Sequence, residues 1–292
     1  MLLRLFRLLS RLPLGWLQSV GGVIGLAVYA ASPTYRRRLR ANLVQAGYAP
    51  HRLALAAAVE AGRMVGEMPA VWFGCGSAAP VRRVRVGGRE HVDAARAQGR
   101  GVLYLTPHMG CFEVSAQIAA LWGPITVMYR PPRKAVLRPL AEASRRRLNL
   151  STAPANLAGV RQLLRALRAG DAVGLLPDQA PASGEGVWAD FFGRPAYTMT
   201  LPARLAQLSG ARIILASALR LPRGRGYALT LEPFDDALDA DPQRAAAQLN
   251  RALETMIRRC PQQYLWGYNR YKRPPGAPEP PATAAATTGD AR

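Results

Sequence analysis

The sequence predicts an α/β fold: a single domain with a mostly parallel central sheet flanked by helices, preceded by an N-terminal membrane-associated helix. Three observations predict it. From about residue 80 to residue 260, short apolar runs alternate with helix-length amphipathic stretches, the pattern of strand–helix–strand units. Ahead of them, 24 residues from Leu12 to Tyr35 carry no charge, and a bilayer takes about 20 apolar residues. Finally, 292 residues at 49% hydrophobic and 20% charged can bury one large core, which excludes a disordered chain.

The elements follow in order. Arg4, Arg7 and Arg11 punctuate a leucine-rich start, and the charge-free stretch after them is diluted by Pro13, Gln18, Gly21, Gly22 and Gly25. A spanning or re-entrant segment, an anchor lying along the membrane, a signal peptide ending at Ala30 and a buried core helix all fit this composition. Basic clusters on both flanks (Arg4, Arg7, Arg11, then Arg36, Arg37, Arg38 and Arg40) oppose translocation of either end and favour an anchor resting on anionic headgroups. We therefore place an anchor at residues 1–35, an α/β domain at 36–273 and a disordered tail at 274–292. The tail reads PPGAPEPPATAAATTGDAR, with no apolar face. Deleting residues 1–35 is expected to weaken membrane association and to spare the domain, whose strands all begin later.

Apolar positions at helical spacing predict one helix over Pro50–Phe73. Strands are expected at Val81–Val86, Val102–Thr106, Ile125–Tyr129, Ala172–Leu176, Ile213–Leu219 and Tyr227–Leu231. Helices are expected at Cys111–Leu121, Val136–Leu148, Asn156–Ala169, Thr198–Leu208 and Pro242–Arg259. Arg220 to Gly226, rich in Pro and Gly, predicts a hairpin loop.

Cys75, Cys111 and Cys260 lack pair spacing, and His51, His91 and His108 are the only histidines. No disulfide scaffold, metal centre or cofactor is expected. The balance of 39 basic against 18 acidic residues gives +21. Such a surface attracts nucleic acid, anionic membrane or an acidic protein. Lys134 and Lys272 are the only lysines, and an arginine- and alanine-rich composition of this kind also follows from genomic base bias.

The most informative stretch is Leu103-Tyr104-Leu105-Thr106-Pro107-His108-Met109-Gly110-Cys111-Phe112-Glu113. A buried strand runs into Pro107, and His108 follows on the turn before the next helix. Strand ends of this kind are where α/β sheets place ligands. Five helical steps would leave His108 and Glu113 roughly 140° apart, so His108 must precede the helix for the two to meet. A carboxylate beside the imidazole fixes its tautomer and prepares a general base. A hydrogen-bonded structural histidine is the bland alternative on spacing alone.

The stretch Thr106 to Glu113 resembles the His-x4-Asp/Glu block of the late acyltransferases of lipid A biosynthesis, the lauroyl/myristoyl transferase family. Met128-Tyr129-Arg130-Pro131 resembles that family's Tyr-Arg-Pro segment, and Arg145 falls where the family has a functional arginine. Leu175-Leu176-Pro177-Asp178-Gln179 resembles its Pro-Asp-Gln/His block. Pro261 to Pro274 is similar to its closing signature, with Tyr271 in place of the usual phenylalanine. Val187 to Gly193 keeps the family's Phe-Phe-Gly, after a loop, Ala182 to Gly186, with few distinctive residues. The blocks come in the family's order and cover the chain to about Pro275.

The resemblance implies a glycerolipid-acyltransferase-like fold and transfer of a fatty acyl chain from acyl carrier protein to a hydroxyl of a lipid A precursor, at the cytoplasmic face of the bacterial inner membrane. His108 is then the base. Glu113 would orient His108 or the acceptor, and Asp178 could supply the imidazole's carboxylate partner. Arg145 or backbone amides near Gly110 are candidate oxyanion donors. Arg130, with Tyr129 and Gln179, would bind substrate, and the lipid's phosphates suit Arg130 and Arg145. The expected partners are acyl carrier protein, a membrane lipid acceptor and the anionic membrane surface. Three rivals stand beside this reading: another glycolipid or phospholipid acceptor, a Cys111-dependent acyl hydrolase, and a non-enzymatic nucleic-acid-binding protein. The last leaves the His and Pro-Asp-Gln blocks idle and lacks any nucleic-acid-binding signature, so no nucleic-acid partner is expected.

Overall fold

A computed structural model describes residues 1–74, 79–130, 138–144 and 148–281. Its centre is a seven-stranded sheet of order β1-β9-β8-β2-β5-β3-β4. The strands are β1 (Val84–Gly87), β2 (Val102–Leu105), β3 (Ile125–Tyr129), β4 (Leu150–Pro154), β5 (Ala172–Leu175), β8 (Arg212–Arg220) and β9 (Tyr227–Pro233). Every neighbouring pair is parallel except β8 and β9, the expected hairpin. In β2 all four residues are buried. A parallel strand covered on both faces reads as a continuous apolar run, which is why this strand is plain in the sequence.

Helices α6 (Arg89–Ala97), α7 (Phe112–Trp122), α8 (Arg138–Ser144), α9 (Leu157–Arg168), α10 (Leu201–Ser209) and α11 (Pro242–Arg259) supply the crossovers and cover. Their starts follow local chemistry. The Asn156 side chain accepts from the Gly159 amide at the head of α9, and Asp241 accepts from Arg244 ahead of Pro242 in α11. The expected helix at Val136–Leu148 lies partly outside the described residues; Arg138–Ser144 of it is helical.

Four elements go beyond the sequence reading. β4, for which the sequence reading has no element, is an edge strand ending in Pro154, where a missing N–H costs no sheet pairing. β6 (Gly186–Phe191) and β7 (Arg194–Met199) form a separate antiparallel hairpin turning at Phe192-Gly193. α6 was not expected at all. The tail boundary also moves: Pro278 accepts from the Trp188 indole and Ala277 is buried between Trp188 and Tyr197, so residues 274–281 pack on this hairpin. Residues 282–292 lie outside the described residues.

At the N-terminus, α1 (Leu2–Leu9), α2 (Leu14–Ala31) and α3 (Pro33–Gln45) precede the expected long helix, which breaks at Glu67 into α4 (Pro50–Gly66) and α5 (Met68–Phe73). Pro69 cannot donate within a continuing helix, which accounts for the break. The glycines that dilute α2 serve contact. Gly21 and Gly25 lie on Ala58, Gly62 and Gly66 of α4 so closely that a Cβ on Gly25 would run into the Ala58 carbonyl. The opposite face of α2 presents Trp16, Val20, Val23, Ile24 and Val28 outward.

This docking corrects the expectation that deleting residues 1–35 spares the domain. Leu14 and Leu17 belong to the core, and Gln18 Nε2 donates to buried Glu67 (2.9 Å). Truncation at residue 36 would open the α4 groove, so the expected outcome is loss of the cooperative thermal transition, read by calorimetry, rather than a soluble domain.

Glu67 is the hub of a buried network. Arg220 reaches Glu60 (3.1 Å) and Glu67 (3.3 Å), and the Tyr227 hydroxyl donates to Glu67 (3.1 Å). Burial pushes the Glu67 carboxyl up, and Arg220 with three hydrogen bonds offsets part of that push. Removing the cation would strand buried carboxylates, so Arg220→Met should cost about 3–5 kcal/mol in denaturant unfolding.

Candidate active site

The carboxyl ends of β2, β5 and β3 lie side by side in the sheet. Each carries one of the sequence blocks: β2 leads to His108, β5 to Asp178 and Gln179, and β3 ends at Tyr129 with Arg130 next. The order of the strands thus gathers blocks that are far apart in the chain.

His108 and Asp178 are joined twice. The His108 amide donates to Asp178 Oδ2 (2.9 Å), and His108 Nδ1 lies 2.7 Å from Asp178 Oδ1. Asp178 is buried while the imidazole is partly exposed. Burial alone would raise the Asp178 carboxyl; the charge and hydrogen bonds of His108, with Arg270 beyond, bring it below its ordinary value. An ionised carboxylate only accepts, so Nδ1 carries the hydrogen and Nε2 keeps its lone pair. Gln179 Nε2 lies 3.1 Å from that nitrogen and donates to it. Phe112 packs edge-on against the imidazole, with ring centroids 5.0 Å apart.

Glu113 is not the carboxylate on His108. It stands in the first turn of α7, where the Trp72 indole donates to it (3.4 Å), while both ring nitrogens of His108 are taken by Asp178 and Gln179. His108 does lie on the turn before α7, so the five-residue spacing leaves a contact with Glu113 open; the carboxylate that takes Nδ1 comes instead from Asp178.

Gly110 has a different task from the one expected. Its N–H donates to the Gln263 carbonyl (2.9 Å) and the Cys111 N–H to the Ala218 carbonyl (2.7 Å), so neither amide is offered to an oxyanion. Gly110 sits at φ +58°, and a Cβ there would strike the Ala218 carbonyl. The residue lets the turn that holds His108 lie against β8. Arg145, the other expected donor, lies outside the described residues. Arg130 is exposed and Tyr129 half-buried.

The closing signature holds the turn from the other side. Leu265 N–H donates to the His108 carbonyl (3.0 Å), and Met109 bridges Tyr264. The Gln263 side chain accepts from Arg220 N–H (2.8 Å) and donates to its carbonyl (3.1 Å). The buried Tyr264 side chain neighbours Asp178, and buried Arg270 donates to the Tyr197 carbonyl and to Thr198. Sequence reasoning missed Gln263, Tyr264 and Arg270 as members of the site; the signature that contains them was the available signal.

Cys111 faces the core on the far side of the turn. Burial raises its thiol well above the ordinary value, and neighbouring Glu67 adds to this, so the thiolate needed for covalent chemistry is suppressed. Cys111→Ala should keep more than half of the wild-type activity, and thiol-directed reagents should leave the folded protein active. Among the described residues, no cluster of His, Cys, Asp and Glu could hold a metal ion.

A family model described as bacterial lipid A biosynthesis acyltransferase matches residues 1–273. The chain is similar to the lipid A biosynthesis palmitoleoyltransferase of Escherichia coli (strain K12), 30% identical over 201 residues, covering 67% of this chain and 65% of that protein. It is 31% identical over 207 residues to the lipid A biosynthesis lauroyltransferase of the same organism, covering 68% and 67%. With a lipid A biosynthesis acyltransferase of Haemophilus influenzae (strain ATCC 51907 / DSM 11121 / KW20 / Rd) the identity is 30% over 182 residues, covering 61% and 56%. The matched region thus spans slightly under two thirds of the palmitoleoyltransferase.

Proposed function

The chain belongs to the bacterial lipid A biosynthesis acyltransferase family, and on that premise we propose that it transfers a fatty acyl chain from an acyl carrier protein thioester to a hydroxyl of a lipid A precursor. The reaction takes place at the cytoplasmic face of the inner membrane. The observation that carries this reading is the imidazole of His108, held by buried Asp178 at the carboxyl edge of the sheet.

An alcohol is as weak an acid as water, and a poor nucleophile until a base takes its proton. His108 Nε2 takes that proton as the acceptor oxygen attacks the thioester carbonyl. The new C–O bond forms, the tetrahedral intermediate expels sulfur, and the leaving thiolate receives the proton from Nε2. Asp178 holds the imidazole in the right tautomer and stabilises its transient charge. Gln179, which occupies Nε2 in the free protein, yields that position to the incoming hydroxyl. Glu113 orients the acceptor, Arg145 stabilises the oxyanion, and Arg130 with Tyr129 receives the lipid at the end of β3.

Membrane contact is made by the outward face of α2 together with Leu5 and Leu8 of α1, both exposed. The arginines at Arg4, Arg7, Arg11, Arg36 and Arg40 flank that apolar strip, where each cation near an anionic surface is worth about 1 kcal/mol.

The test follows acyl-labelled carrier protein incubated with the purified chain, with and without membranes containing the acceptor. The label should move to lipid only when acceptor is present. Release of free fatty acid without acceptor would instead identify a hydrolase.

A further inference from the structure

A cavity of about 300 Å³ lies apart from His108, between the start of α3, the β6–β7 hairpin and the closing signature. Arg37, Arg38, Arg194, Thr34, Asn269 and Tyr271 are on its wall, and among the described residues no carboxylate lines it. The side chains of Arg37, Arg38 and Arg194 make no ion pair or hydrogen bond among the described residues. Arg194 alone is steadied, its guanidinium 4.7 Å from the centre of the Tyr271 ring. Some arginines of this chain are paired, as Arg220 is with Glu60 and Glu67 and Arg244 with Asp239; what sets Arg37, Arg38 and Arg194 apart is that they converge on one concavity. Three uncompensated guanidinium groups around one concavity repel each other and fit a multiply charged oxyanion, which arginine binds in a bidentate fashion.

The surroundings say where the anion comes from. Arg36 donates to the carbonyls of Tyr29 (3.1 Å) and Ala30 (2.9 Å), fixing the corner between α2 and α3. Arg37 and Arg38 therefore follow directly on the helix whose outer face is apolar and exposed. Asn42 of α3 donates to the carbonyls of Trp266 (2.7 Å) and Tyr268 (2.8 Å), and the Tyr268 hydroxyl accepts from Ala180 N–H (3.1 Å), two residues beyond Asp178. The cavity thus shares one wall with the segment that braces the His108–Asp178 pair.

We propose that this cavity binds the phosphate of an anionic membrane lipid, with Arg37, Arg38 and Arg194 as its ligands. It would hold the headgroup between the membrane-facing helix and the active site. The proposal rests on the membrane-associated reading of α2, but its test reads binding and not acyl transfer.

Dihexanoyl phosphatidic acid, a soluble lipid phosphate, is titrated by calorimetry into the full chain in mild detergent, with inorganic phosphate titrated separately. The expected result is saturable binding of the lipid, weakened about tenfold or more in Arg38→Gln/Arg194→Gln, the loss expected when charge-assisted hydrogen bonds go. Arg37→Gln/Arg38→Gln should weaken it similarly and leaves the Arg194–Tyr271 contact intact. Arg161→Gln/Arg165→Gln removes the same charge from exposed α9 and should bind as wild type. His108→Gln should also bind as wild type, so failure of the catalytic reading would show there without touching this one. Equal weakening in the cavity and α9 variants would overturn the proposal in favour of diffuse charge. Inorganic phosphate binding as tightly as the lipid would overturn it in favour of a free-anion site. Lost affinity for acyl carrier protein with unchanged lipid binding would assign the cavity to the carrier instead.

Discussion

His108→Ala lowers acyl transfer by about 10²–10⁴-fold, the range that a positioned general base contributes. The magnitude follows from the absence of a substitute. His51 and His91 lie on α4 and α6, away from the carboxyl ends of β2, β5 and β3. Gln179, next to the vacated space, carries an amide that cannot accept a proton at neutral pH. The turn is held through its backbone by Gln263, Leu265 and Ala218, so the fold should persist, but buried Asp178 loses its imidazole partner and the melting temperature should fall. Turnover near wild type in His108→Ala, measured at a temperature where both proteins are folded, would remove the mechanism.

Asp178→Asn is expected to cost about a thousandfold in turnover, although the side chain keeps its shape. An asparagine can still accept from the His108 amide through its carbonyl oxygen. Its NH₂ would then face Nδ1 and donate to it, driving the hydrogen to Nε2 and turning the basic nitrogen away from substrate. Loss of the correct tautomer has an effect of this order, about 10⁴-fold, in serine hydrolases. The variant also has an acid-stability signature. The Asp178 carboxyl sits below its ordinary value in the folded protein, against about 3.9 for a free aspartate. Its contribution to stability is complete above that value and is lost as pH falls through the lower folded one. In Asp178→Asn this part of the acid limb should disappear from a denaturation series. Activity falling only in step with melting temperature would make Asp178 a structural residue.

Much of this arrangement was legible in the sequence, for identifiable reasons. β2, β3, β5 and β8 are covered on both faces, so their apolar runs are continuous. β4 escaped because an edge strand ending in Pro154 has neither a long apolar run nor alternation, and β6–β7 because their strand character depends on packing under α11 rather than on the main sheet. His108 stood out by its place after a buried strand. Its carboxylate partner was harder to read, because Glu113 is near in sequence while Asp178 is 70 residues away. Only the adjacency of β2 and β5 decides between them, and strand order leaves no local mark. For the same reason the glycines of α2 read as dilution of a membrane segment, although Gly21 and Gly25 meet the backbone of α4. Half of α2 is a packing face and half an outward apolar face, and a periodicity broken by glycine hides both.

The account's central claim is that His108, oriented by Asp178, drives transfer of an acyl chain to a membrane lipid. The most direct measurement is mass spectrometry of membrane lipids from cells expressing the wild-type chain and, at equal level, His108→Ala. The account predicts a lipid species heavier by one acyl chain with wild type and none with the variant. No mass gain with wild type, or the same gain from both, would contradict it.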